Sequence, residues 1–99
     1  MTDREELPVE VLVWRGVTIH IRRQDKYSGM RNLHHLDIEA VSPERAKLPI
    51  TETGYRSHFY YGEAVADAVV AVHQWLEDEA KGQDWQAHVQ TSQQLNLFG

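Results

Sequence analysis

Val9-Glu10-Val11-Leu12-Val13-Trp14, Arg15-Gly16 and Val17-Thr18-Ile19-His20-Ile21 decide how the chain folds. The first six residues are rich in β-branched and aromatic types, with valine at the odd positions and Leu12 and Trp14 on the other face, which predicts a strand. Arg15-Gly16 offers a tight turn in which glycine supplies a positive φ. Beyond it Val17, Ile19 and Ile21 alternate with Thr18, His20 and Arg22, the period of a half-buried strand, so the two runs predict a β-hairpin. Working outward, a polar stretch at 23–32 precedes Leu36, Ile38 and Ala40, which alternate with His35, Asp37 and Glu39. A third strand is expected there, ending near Ser42-Pro43 because proline cannot donate to a ladder. The meander has one apolar and one mixed face.

The period changes after Gly62. Val65, Ala68, Val69, Val72 and Leu76 recur at intervals of three and four, with Glu63, Asp67, Gln74, Glu77 and Asp78 largely elsewhere, so a helix is expected to lay this stripe on the sheet. Lys81-Gly82 reads as its stop, and Asp84 as the cap of a short second helix carrying Trp85, His88 and Val89. Trp75 and Trp85 read as apolar glue between helix and sheet, while Trp14 either covers the second face of the sheet or sits beneath a long loop. That loop is residues 42–61, which contain Pro43 and Pro49 and no clear period; it is longer than usual connectors, so an ordered functional loop or an extra extended segment is expected. The expected fold is therefore α+β: a three-stranded antiparallel sheet in the order β-β-β-α, one main helix packed on it, and a short C-terminal helix. Residues 1–90 are expected to form the single domain and 91–99 a flexible peptide tail.

Composition narrows the function classes. The 99 residues suffice for one core, and no apolar run approaches the roughly 20 residues that span a bilayer, so a cytoplasmic protein without membrane contact is expected. With no cysteine, thiol nucleophiles and cysteine zinc sites are excluded. The net charge of −5 argues against wrapping nucleic acid over a large surface. Its distribution is uneven, net −3 over residues 1–10, +3 over 11–61 and −5 over 62–99. Within the basic middle, Arg22, Arg23, Lys26 and Arg31 surround Tyr27, which makes this segment the candidate nucleic-acid contact; a solvated loop is the plainer reading.

The candidates for chemistry are few. His35, Asp37 and Glu39 share a strand face with His20 across the ladder, but ligands at i, i+2 and i+4 spread along roughly 13 Å of strand instead of converging on an ion. Cross-strand pairing with Arg22 is expected instead, and no metal. His34, on the opposite face, reads as a core-edge histidine with its hydrogen bonds satisfied. Ser57 and His58 are adjacent, so their side chains diverge, and neither a nucleophile elbow nor a glycine-rich phosphate loop is present. Glu52, Tyr55, Arg56 and His58 form a candidate site in the 42–61 loop, Arg56 having the planar fork suited to carboxylate or phosphate. An enzyme built on Glu52, Arg56 and His58 requires them to line one concave pocket. No catalytic residue and no cofactor is assigned.

Two resemblances add to this. Leu48 to Phe59 (Leu-Pro-Ile-Thr-Glu-Thr-Gly-Tyr-Arg-Ser-His-Phe) resembles a stretch of small uncharacterised bacterial proteins associated with plasmids and other mobile elements, which implies a bacterial, one-domain protein. At the end of the chain, Gln94-Leu95-Asn96-Leu97-Phe98 resembles the motif by which bacterial replication and repair proteins bind the DNA polymerase sliding clamp, commonly Gln-Leu, then Ser or Asp, then Leu-Phe. The resemblance implies that Gln94 bonds at a pocket rim while Leu95, Leu97 and Phe98 bury in an apolar cleft. Asn96 departs mildly from the motif and keeps a small polar side chain. The expected function is a small non-catalytic adaptor or regulator that binds the sliding clamp through this peptide. The alternatives are a nucleic-acid module using the 22–31 loop, an enzyme or ligand-binding domain using the 42–61 loop, and, under any of these, a homodimer through the sheet edge or Trp14.

Overall fold

The expected hairpin forms with a two-residue turn. In the computed structural model, which describes the backbone of residues 7–96 and the side chains of 7–91, β1 (Val9–Trp14) and β2 (Val17–Gln24) pair antiparallel, with Arg15 and Gly16 both at positive φ. The third strand, β3 (Leu33–Ser42), pairs with β2, and the next peptide bond, Ser42–Pro43, is cis. The sheet does not stop there. Tyr55–Tyr61 forms a fourth strand, β4, antiparallel to β3, giving the order β1-β2-β3-β4.

The α+β class holds, and the three-stranded sheet is corrected to four strands. The stretch 42–61 is part loop and part ladder, and Tyr55, Arg56 and His58 lie on a strand, not in a loop. Alternation failed to mark β4 because its inward residues are Arg56, His58 and Tyr60 and its outward ones Tyr55, Ser57, Phe59 and Tyr61, so neither face is simply apolar.

Period two sorts the sheet into two faces. Leu12, Trp14, Ile19, Ile21, Leu36, Ile38 and Ala40 point inward and are buried. Onto them α1 (Ala68–Glu79) lays Ala68, Val72 and Leu76, one residue per turn. The Asp67 side chain accepts from the Val70 amide and caps the helix, so it begins at Ala68, three residues after Val65, the first member of the stripe; Val65 packs on the core from outside the helix. The 43–54 segment closes one end of the core with Leu48 and Ile50.

The second helix, α2 (Gln83–Asn96), runs 14 residues where a short one was expected. Its first turn seats Trp85 against Trp14, centroids 5.5 Å apart. Trp14 is therefore core, and its indole N–H donates to Glu77 Oε2 at 2.8 Å, joined there by Arg15 at 3.1 Å. Among the described residues no helix is long and apolar enough to cross a membrane.

Candidate functional site

The helices dock on the inner face, and the outer face carries the chemistry. Its rungs follow from the register: Val11, His20, Glu39 and Tyr55; Val9, Arg22, Asp37 and Ser57; Gln24, His35 and Phe59; then Leu33 and Tyr61. On the middle rungs Arg22 lies 3.9 Å from Glu39, and the Tyr55 hydroxyl donates to Asp37 at 3.0 Å. Asp37 is buried beneath this arrangement instead of lying on the solvated face expected of it. Among the described residues no cluster of three or more histidine, aspartate or glutamate side chains is placed to hold a metal ion.

The far end of the outer face is aromatic. His35 and Phe59 are cross-strand partners with centroids 4.5 Å apart, and Tyr27 leans over both, 5.5 Å from His35 and 5.0 Å from Phe59 in an edge-on contact. Tyr27 reaches them because the β2–β3 turn folds back through three left-handed residues, Lys26, Ser28 and Gly29. His34 pins that turn from the opposite face. The Lys26 amide donates to its Nδ1 at 3.2 Å, which leaves the proton on Nε2, facing the Gly62 carbonyl at 2.8 Å. His34 is thus the satisfied core-edge histidine that its position suggested.

The basic segment divides. Arg23 turns inward, pairing with Asp25 and donating to the Val65 carbonyl at 2.7 Å, and Arg22 is engaged with Glu39. Lys26 and Arg31 are exposed and enter no ion pair among the described residues, so these two are the available cations of the turn that carries Tyr27. Burial draws the His35 ring below the ordinary histidine value against the opposing pull of Asp37, and its Nε2 lies 2.6 Å from Ser57 Oγ.

The loop candidates do not converge. Tyr55 is on the outer face, whereas Arg56 and His58 point inward beside α1. There His58, Leu36, Tyr60, Val65, Val72 and Trp75 line an apolar cleft of about 280 Å³. Arg56 lies over the Trp75 ring at 5.0 Å and donates to the Ile50 carbonyl at 3.0 Å. Burial, then Arg56 and His35, lower the His58 pKa. Glu52 lines a different groove, with Lys47, Asp84 and His88 against α2. Glu52, Arg56 and His58 therefore do not share the one concave pocket an enzyme built on them requires. Ser57 and His58 point to opposite faces, and Ser57 meets His35 instead.

Sequence reading missed His35 and Phe59 as members of the aromatic end. The signal available was the aromatic run Phe59-Tyr60-Tyr61, which becomes legible only once β3 and β4 are in register. Of the tail residues, Gln94 and Leu95 belong to the last turn of α2, with side chains outside the described set; Leu97 and Phe98 lie outside the described residues altogether.

Comparison with known proteins gives one family. Residues 8–85 match the family described as KlcB third domain, a span that takes in all four strands, α1 and the start of α2. No curated protein and no solved structure matches.

Proposed function

The chain belongs to the KlcB third-domain family, and we propose that it acts as a small non-catalytic bacterial adaptor, associated with plasmids or other mobile elements, whose C-terminal peptide binds the DNA polymerase sliding clamp. The observation that carries the reading is Gln94-Leu95-Asn96-Leu97-Phe98 at the end of the chain. Its first three residues form the end of α2, a helix whose first turn is anchored to the body through Trp85 and whose later residues Gln90 and Thr91 are exposed. A cytoplasmic setting goes with this partner.

The energetics suit reversible capture. Burying Leu97 and Phe98 contributes about 3–6 kcal/mol. The rigid-body and side-chain freedom lost on association offsets part of the gain, which suits an affinity in the micromolar range. Calorimetry of the full chain against purified bacterial sliding clamp tests this. Micromolar binding is expected, abolished in a Leu97→Ala/Phe98→Ala double variant that melts like the parent. Absence of binding by the parent chain overturns the proposal.

A further inference from the structure

We propose that the aromatic end of the outer sheet face is a stacking platform for a single-stranded nucleic acid. The inference rests on the sheet face and the β2–β3 turn and is independent of the clamp-binding reading. Phe59 is 48% and Tyr61 68% exposed, unusual for large rings at the surface of a small domain. They occupy alternate positions of β4 on one face, hence about 6.7 Å apart, which gives each room for one base. Phe59 is already fixed, flanked by His35 at 4.5 Å and by the edge of Tyr27 at 5.0 Å, so little side-chain freedom remains to be lost on binding.

Charge complementarity selects the occupant. Lys26 precedes Tyr27, the ring against Phe59, and Arg31 lies two residues before Leu33, the cross-strand partner of Tyr61; both are exposed and outside any ion pair among the described residues, as contact with backbone phosphates requires. Of the acids on β3 and in the β2–β3 turn, Asp25 pairs with Arg23, Glu39 with Arg22, and Asp37 accepts from the Tyr55 hydroxyl. Stacking on rings needs base faces, which a duplex hides and a single strand displays. DNA and RNA share those faces. Two cations and two or three rings make a short site, which reconciles phosphate contact with a chain of net charge −5.

The test is fluorescence anisotropy of the full chain with a labelled dodecameric oligothymidylate at low salt, with the matching RNA and a duplex as further arms. Single strands of either sugar are expected to bind, and the duplex to bind at least tenfold more weakly. Phe59→Ala and Tyr61→Ala are each expected to weaken binding about tenfold. Both rings are exposed, so melting midpoints should hold; Tyr61→Ala stands in if loss of the His35 and Tyr27 contacts disturbs Phe59→Ala. In a Lys26→Gln/Arg31→Gln variant the slope of log affinity against log salt should fall by about 1.4, the value for two phosphate contacts on a single strand. No binding of single strands at low salt, equal binding of the duplex, or an affinity indifferent to both ring truncations overturns the proposal.

Discussion

Gly54 shows how much one residue decides. Its φ is +79°, and a Cβ built there would lie 2.6–2.8 Å from the backbone of Arg45. Its carbonyl accepts from the Ala40 amide at 2.8 Å, which ties the end of the long loop to β3. Gly54→Ala combines a disfavoured backbone conformation with a clash against main chain, and is expected to destabilise the fold by about 2 kcal/mol or more. Urea denaturation checks this; a midpoint equal to that of the parent would show that the loop gives way freely. In the sequence Gly54 is a lone glycine without a phosphate motif, and nothing local announces that Arg45 comes to rest against it. His34 was more legible. Its place on the face opposite His35 follows from period two, and both of its ring nitrogens are bonded.

At the scale of elements, α1 and β4 mark the two ends of legibility. The helix declares itself because its stripe is apolar against a polar background, and Ala68, Val72 and Leu76 all bury where the period of 3.6 places them. Leu76 is fully buried in the core, so Leu76→Ala should cost about 2–5 kcal/mol in chemical denaturation. A loss below about 1 kcal/mol would mean that the site collapses around the missing atoms. β4 carries no such stripe. Arg56 and His58 are tolerated on the helix side of the sheet because they meet the edge of α1 and not the centre of the core: Arg56 stays exposed, its guanidinium lying over Trp75 and donating to the Ile50 carbonyl, while the His58 ring packs beside Trp75. Before that packing exists, Tyr55–Tyr61 reads equally well as a polar loop.

Over the whole molecule, the histidines make stability depend on pH. The His35 and His58 rings both titrate below the ordinary histidine value, burial being the largest cause at each. Above that ordinary value their contribution is fully present. As pH falls below it, the unfolded chain takes up protons that the folded rings refuse, and the contribution is lost until pH passes the depressed folded values. Glu77, lowered chiefly by the Trp14 N–H, adds a loss of the same sign at more acid pH. The melting midpoint is therefore expected to drop between pH 7.5 and 5, less steeply in His58→Gln than in the parent. Equal slopes would contradict the burial of this ring in the cleft beside Trp75.

By itself the sequence determined the α+β class, the β1–β2 hairpin, the third strand and the helical stripe laid on them. Each of these is a local pattern in which one face is apolar, and a contrast between faces is written in the spacing of neighbouring residues. Only the tertiary structure decided that a fourth strand joins the sheet, that Ser57 meets His35 and not His58, that Arg56 and Tyr55 part to opposite faces, and that Tyr27, His35 and Phe59 meet. Those outcomes depend on the register between strands and on a turn folded back over them. Register is set by packing between residues far apart in the chain, which no window along the sequence contains.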